Sequence, residues 1–306
     1  MNSTEANLYP QYFYTSDHYR IFYLTNFSKE TFDPEKYLLV FNYGLVCNIA
    51  HWKYQIPFFE ELEFQVLLHD YRFHHSSSGN EKNIALCTFE NIKKDLAELL
   101  DEIYQGRNKR KIIMFGHSMG VNISLEYASQ YPDLVTGLVL ISGTVLPPQD
   151  IMFDSNIVDI VSPAVAALSE KFPLAYKALW STSYLNPLFR KLIHYGGFNT
   201  SKVPEEFIQM YMKRIGDLPY KVFLQLLNEM HDHDILNKLP AIKTPSLIMG
   251  GDLDKVIPNY LQDILHQHLP NSSVYIVKDG SHVPQADFPK SVNYRILKFI
   301  ETTEKT

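Results

Sequence analysis

The sequence predicts an α/β protein with a mostly parallel central sheet, helices flanking it, and one helical insertion. Three observations support this class. Short apolar runs alternate with longer amphipathic segments, the short runs are apolar along their whole length, and one internal stretch lacks such runs. Continuous apolarity is typical of strands that are buried on both faces, as in parallel sheets. The alternation of strands and helices then implies a layered sandwich with right-handed crossovers.

Six apolar runs are predicted to form the strands of this sheet. They consist of aliphatic, aromatic and methionine side chains and cover residues 37–41, 66–68, 112–115, 138–141, 247–249 and 274–277. Because these runs show no apolar-polar alternation, we expect helices to cover both faces of the sheet.

Helices are predicted from apolar residues that recur at three- and four-residue steps. Such a stripe begins after Thr88 and continues to Ile103, and Thr88 is a favourable N-cap residue. A second stripe near the C-terminus contains Val292, Ile296 and Ile300. Both segments are expected to pack one face against the sheet.

The stretch of residues 145–236 interrupts the alternation. It contains helical patches, several prolines, the turn signal Gly196-Gly197 and many aromatic residues, but no convincing strand. We therefore predict an α/β core of residues 1–144 and 237–306 with a helical cap of residues 145–236.

Composition and charge exclude several classes of function. The 306 residues are 45% hydrophobic and carry a mildly acidic net charge of -6, which argues against a nucleic-acid partner. Two distant cysteines exclude a disulfide framework and a cysteine-rich zinc site. No apolar run is long enough to cross a membrane, and no secretion signal is visible at the N-terminus. The expected location is the cytoplasm.

The clearest motif is Gly-His-Ser-Met-Gly at residues 116–120, which matches the nucleophile-elbow pattern G-x-S-x-G. It follows a predicted strand directly and precedes a predicted helix. So tight a turn forces Ser118 to a positive φ and requires small neighbours, which explains Gly116 and Gly120. The turn would raise the Ser118 hydroxyl above the sheet edge at a helix N-terminus.

A serine needs a base to accept its proton and an acid to orient that base, and this architecture places them in the order Ser, acid, His. Of twelve histidines, only His282 follows a late strand and precedes a late helix in a short loop. The acid is expected after the preceding strand, where Asp252 and Asp254 both stand.

Together these residues resemble the α/β-hydrolase fold superfamily, and in particular its capped esterase and lipase-like members. The resemblance covers roughly residues 17–300. It rests on the elbow, on Gly-Asp-Leu-Asp at residues 251–254 followed by Pro258, and on Gly-Ser-His at residues 280–282. The register of the second motif implies that Asp254, not Asp252, is the acid.

The resemblance also implies an oxyanion hole made of two backbone N–H groups. One would belong to Met119, after the nucleophile, and the other to Leu45, in the loop after the first predicted strand. Tyr43 stands where the family usually has histidine, and it fills that structural place or contacts the substrate. His117 is a second candidate for substrate contact.

The sequence departs from the family pattern at two further points. Val121 stands where many relatives have a third glycine after the elbow. In the segment Asp-Tyr-Arg-Phe-His at residues 70–74, Phe73 stands where relatives usually have glycine after the arginine. We therefore expect the loops around the elbow to differ from those of relatives.

These observations predict a serine hydrolase that acts on carboxylic esters through an acyl-enzyme, with no cofactor and no metal. The aromatic-rich cap indicates a small-molecule substrate with an apolar acyl or aromatic group. The same residues would also serve a C–C bond hydrolase or an acyltransferase, and the fold would suit a non-catalytic ligand-binding protein.

Two other sites in the sequence carry side chains able to bind a metal or act as a nucleophile. His-Asp-His-Asp at residues 231–234 suggests metal binding, but four consecutive residues do not face one ion, so a solvated helix end is preferred. Cys47 lies near the predicted oxyanion loop without a base beside it and is expected to be a small packed residue.

Overall fold

A single mixed sheet forms the centre of the computed structural model, which describes residues 7–45, 47–79, 81–107, 110–147, 167–187, 191 and 197–303. Within these ranges the sheet has eight strands in the order β1-β2-β4-β3-β5-β6-β7-β8. Strands β1 and β2 pair antiparallel, β2 pairs antiparallel with β4, and the remaining neighbours are parallel. The strands are β1 Tyr9–Tyr14, β2 Arg20–Thr25, β3 Leu38–Asn42, β4 Gln65–His69, β5 Ile112–His117, β6 Gly137–Ile141, β7 Ser246–Gly251 and β8 Ser272–Val277.

Helices connect the strands and cover the sheet. Their bounds are α1 Ile56–Glu61, α2 Phe89–Tyr104, α3 Met119–Gln130, α4 Pro173–Ser181, α5 Glu205–Asp217, α6 Tyr220–Asp232, α7 Tyr260–His268, α8 Pro284–Asp287 and α9 Pro289–Thr303. Helix α2 begins as the sequence predicts, because the Thr88 side chain accepts a hydrogen bond from the Asn91 backbone N–H at 3.1 Å. No helix of the described residues is both long and apolar enough to cross a bilayer.

Two apolar layers lie on opposite faces of the sheet. Along β3, Leu38 and Val40 point into a cluster with residues of α2, α3 and α7, whereas Leu39 and Phe41 point into a cluster with residues of α1 and α9. All four side chains are fully buried. The prediction of a mostly parallel sheet covered on both faces by helices is therefore confirmed.

All six predicted strands are present, and two strands at the N-terminus were not predicted. In β2, the inward residues Ile21, Tyr23 and Thr25 are buried while their neighbours are more exposed. In β1, Tyr12 and Tyr14 remain more than half exposed. β1 lies at the edge of the sheet and contains Pro10 and Gln11, whereas the inner strand β2 contains the apolar run Ile-Phe-Tyr-Leu at residues 21–24, which the prediction did not include.

The described part of residues 145–236 contains helices α4, α5 and α6 and no strand. The Trp180 indole N–H donates to the Leu218 carbonyl at 2.8 Å, which ties α4 to the turn between α5 and α6. Val222 and Leu226 of α6 pack in one cluster with Met119 at the start of α3. The predicted cap region therefore contacts the core beside the elbow.

The prediction of a solvated helix end at residues 231–234 was wrong for His233. Its Nε2 lies 3.0 Å from Glu126 Oε1, its Nδ1 lies 2.9 Å from the Asn122 side chain, and its side chain is only 8% exposed. Lys238 also donates to Glu126, at 3.2 Å. His233 thus attaches the end of α6 to α3, while His231 remains exposed.

Candidate active site

The nucleophile elbow lies between β5, which ends at His117, and α3, which begins at Met119. Ser118 has φ +52° and ψ −122°, in the region that the tight turn was expected to require. A Cβ atom at Gly120 would lie 2.3 Å from the Asn42 carbonyl oxygen. A Cβ atom at Gly116 would lie 2.6 Å from the Gly120 carbonyl oxygen. The two glycines are therefore needed for close backbone contact around Ser118.

Asp254 and His282 form a buried hydrogen-bonded pair. The His282 Nδ1 lies 2.9 Å from Asp254 Oδ2, and the Asp254 side chain is fully buried. The other carboxylate oxygen accepts hydrogen bonds from the backbone N–H groups of Val256 and Ile257, each at 2.9 Å. A carboxylate only accepts, so Nδ1 carries the proton and Nε2 of the neutral ring is left with a lone pair. The rival carboxylate of Asp252 is exposed.

The loop that carries His282 is joined directly to the elbow. The His117 Nε2–H donates to the His282 carbonyl oxygen at 2.8 Å, and the two ring centres are 4.9 Å apart. His117 immediately precedes Ser118. The structure therefore brings the predicted base to the elbow that carries the predicted nucleophile, although 164 positions separate them in the sequence (282 − 118).

The loop after β3 packs against the other side of Ser118. A Cβ atom at Gly44 would lie 3.1 Å from the Ser118 Cβ, so only a glycine brings the backbone this close without displacement. Leu45, the next residue, is half-buried. Met119 is buried and is the first residue of α3, so its N–H belongs to the donors that a helix does not pair internally. Of the two predicted oxyanion donors, Leu45 thus follows the glycine that lies against Ser118, and Met119 follows Ser118 itself.

The two residues predicted as candidate substrate contacts, Tyr43 and His117, are fully buried, and the Tyr43 hydroxyl and the His117 Nε2 have protein partners. The Tyr43 hydroxyl donates to Asp70 Oδ1 at 3.3 Å and accepts from the Tyr71 backbone N–H at 3.2 Å. Burial raises the pKa of Tyr43 well above its usual value and lowers the pKa of His117 well below its usual value. Tyr43 therefore joins the loops after β3 and β4, and His117 supports the His282 loop.

Asp287 was not identified from the sequence, although it supports the same loop. Its carboxylate accepts hydrogen bonds from the Ser281 backbone N–H at 2.5 Å and from the Ser281 hydroxyl at 2.9 Å. Burial raises the pKa of Asp287 to about 6. The residue follows the predicted base by only five positions, but no motif distinguishes it from other acidic residues.

One of the two departures from the family pattern, Val121, has a structural explanation. A Cβ atom at Gly143 would lie 2.4 Å from a methyl group of Val121. The Val121 side chain therefore fits because residue 143, on the neighbouring segment, is a glycine. Phe73 has φ +66°, the left-handed region that glycine occupies without steric cost. At Phe73 the chain keeps the unusual backbone conformation without the residue that favours it.

A family model described as the alpha/beta hydrolase fold matches residues 37–289. The chain belongs to this family. The match covers both halves of the predicted core and the segments that carry Ser118, Asp254 and His282.

Relatives within the α/β hydrolase fold are similar at low sequence identity. An uncharacterized hydrolase, YugF of Bacillus subtilis, is 24% identical over 70% of this chain and 74% of its own length. Protein ABHD8 of Homo sapiens is 24% identical over 86% of this chain, but the chain spans only 55% of ABHD8. The structure of a thermophilic esterase from Thermogutta terrifontis matches with a TM-score of 0.72 at 20% identity, over 96% of this chain and 99% of the other. The structural likeness supports the fold.

Proposed function

We propose that this α/β hydrolase is a serine hydrolase that acts on carboxylic esters, with Ser118 as nucleophile, His282 as base and Asp254 as the acid that orients it. The observation that carries the proposal is the buried Asp254–His282 hydrogen bond, held by the elbow residue His117. Because Asp254 fixes the proton on Nδ1, Nε2 is the free base of the imidazole ring.

In the proposed reaction, Ser118 attacks the ester carbonyl while His282 accepts the hydroxyl proton. The resulting imidazolium is stabilised by Asp254 and then protonates the leaving alkoxide. Water, activated by the same histidine, releases the acyl group from Ser118 and regenerates the free enzyme. The N–H groups of Leu45 and Met119 are proposed to stabilise the tetrahedral oxyanion.

The surroundings of the elbow favour an apolar acyl or aromatic group in the substrate. Met119 packs in one apolar cluster with Leu218, Val222 and Leu226, which come from the region predicted to be the cap. Tyr211 of α5 also packs against this cluster. An apolar wall beside the nucleophile is the usual complement of an apolar substrate group.

The test uses p-nitrophenyl esters of graded acyl length and a fluorophosphonate probe. Ser118→Ala should lower kcat/KM by roughly 10⁴- to 10⁶-fold, because the nucleophile is lost, and should abolish labelling. His282→Ala should also abolish labelling while the fold is retained by circular dichroism. Hydrolysis and labelling that persist in Ser118→Ala would contradict the proposal, as would a folded wild-type protein that neither hydrolyses any ester nor reacts with the probe.

A further inference from the structure

Cys47, His51 and His117 are buried together beside the proposed nucleophile. One ligand atom from each residue lies within 4.8 Å of the ligand atoms of the other two. None of the three side chains is more than 2% exposed. The proposed hydrolysis uses none of them as a reacting group, so their chemistry is unassigned.

The hydrogen bond of His117 leaves one of its nitrogens ready to bind a ligand. Because Nε2–H donates to the His282 carbonyl, Nδ1 of this neutral ring carries a lone pair. That Nδ1 is buried and has no hydrogen-bond partner among the described residues. Metal-binding histidines show the same arrangement: one ring nitrogen donates its N–H to a backbone carbonyl or carboxylate, and the other binds the metal.

His51 shows a related arrangement. Its Nδ1 is buried without a partner in the part of the chain that the structure describes, and its Nε2 lies 2.5 Å from the side-chain amide of Gln285. The Gln285 Oε1 is itself unpaired there. Since an amide is readily turned by half a rotation, Oε1 is able to accept from Nε2–H, which leaves the lone pair on Nδ1.

Cys47 supplies the third ligand atom. Its Sγ contacts the Tyr211 hydroxyl at 3.4 Å, and burial raises the pKa of the thiol to about 12. The thiol is therefore protonated when no metal is present. A metal ion would bind the thiolate and release one proton to solvent. One thiolate and two neutral imidazoles are ligands that suit Zn²⁺.

We propose that Cys47, His51 and His117 form a binding site for a thiophilic divalent ion, Zn²⁺, and that its binding inhibits hydrolysis at Ser118. The inhibition rests on the proposed function, whereas the metal site does not. Three protein ligands leave the fourth position of a tetrahedral ion for water.

The expected inhibition follows from the position of the loop that carries Cys47. Bonds of about 2.0–2.3 Å to zinc place neighbouring ligand atoms about 3.5 Å apart, so a site up to 4.8 Å wide contracts by up to about 1 Å on binding. Gly44 of this loop lies against Ser118. A Cβ atom on Gly44 would lie 3.1 Å from the Ser118 Cβ and 3.4 Å from the Cys47 Sγ. A displacement of about 1 Å beside reacting groups is able to cost a hundredfold in rate.

Direct binding decides whether the metal site exists. Protein treated with a chelator and then desalted is titrated with Co²⁺, whose thiolate charge-transfer absorption reports a cysteine ligand, and with Zn²⁺ in competition with an indicator dye. We expect one thiolate-bound ion per chain and at least a hundredfold weaker binding in Cys47→Ser. Cys87→Ser is the matched control, because Cys87 is also free and buried but lies outside the cluster. Absence of the thiolate band in wild type, or its persistence in Cys47→Ser, would overturn the site.

A second measurement decides the inhibition. For wild type and each variant, the rate of hydrolysis of the best p-nitrophenyl ester is measured with and without saturating Zn²⁺, and the ratio of the two rates is compared. Zinc should lower the rate at least tenfold in wild type and in Cys87→Ser, and less than twofold in Cys47→Ser. An equal loss in Cys47→Ser would contradict the inhibition. A metal-free wild type that hydrolyses no ester would contradict the proposed function, and the Co²⁺ spectrum would still decide the site.

Discussion

Asp254 and Asp252 are two positions apart but have different surroundings. Asp254 is buried, with one oxygen on His282 and the other on two backbone N–H groups, whereas Asp252 is exposed. The proposed role of Asp254 as the residue that orients the base therefore rests on its contacts and not on residue type.

This difference gives a matched test at the residue scale. Asp254→Asn should lower kcat by roughly 10³- to 10⁴-fold, because an amide no longer fixes the proton on Nδ1 of His282. Asp252→Asn should change kcat less than about twofold, since the exposed carboxylate has no part in the proposed reaction. Steady-state kinetics on one ester checks both variants. Comparable losses in the two variants would refute the assignment of Asp254.

Ser118 could be predicted as a nucleophile because that role would impose a backbone conformation that requires the nearby glycines. His282 was predicted from its position after a late strand, and Asp254 from the register of the family motif. Asp287 and the partners of His51 could not be found in this way, because their roles depend on contacts between distant segments. The Gln285 contact with His51, for example, spans 234 positions.

At the scale of elements, α3 and the segment after β6 fit together through Val121 and Gly143. Gly143→Ala would place a methyl group against the Val121 side chain, and we expect a loss of about 1–3 kcal/mol in the free energy of unfolding. Val121→Ala should remove that clash, so the double variant should be more stable than the two single losses predict. Urea denaturation of the four proteins gives the coupling energy. Additive losses would show that the two positions do not compensate each other.

Elements whose sequence pattern reflects burial on two faces were predicted with good bounds, as β3 and β5 show. The hairpin of β1 and β2 was not predicted: β1 is an edge strand with Tyr12 and Tyr14 exposed, and β2 is an inner strand that fully buries only alternate residues. Phe73 has a left-handed backbone conformation, at the position where the family usually has glycine.

At the scale of the whole molecule, buried neutral histidines should make stability depend on pH. Burial lowers the pKa of His51 and His74 to about 3 and that of His69 to about 4, from 6.5 in an exposed residue. The unfolded chain therefore binds more protons between these values, so stability is full above pH 6.5 and is lost as the pH falls. At pH 5 each of these histidines should lower the free energy of unfolding by about 2 kcal/mol relative to its value above pH 6.5.

Two buried carboxyls act in the opposite sense. Burial raises the pKa of Asp95 and Asp287 to about 6 from 3.8, so the folded state binds the extra proton and gains stability as the pH falls toward 4. His117, whose pKa burial also lowers, acts with the other histidines. Together they outweigh the two carboxyls, and we expect the free energy of unfolding to fall by at least about 3 kcal/mol between pH 7 and pH 5. Denaturant titrations at several pH values measure this change. A stability that is constant or higher at pH 5 would contradict the expectation.

The three residues of the proposed triad follow three different strands of the sheet. Ser118 follows β5, Asp254 follows β7 and His282 follows β8, which is the last strand at its edge. A chain in which β8 has not docked would keep its serine but have no base beside it. Covalent capture by a fluorophosphonate would therefore count native molecules alone, and its yield during refolding would report when the final strand is in place.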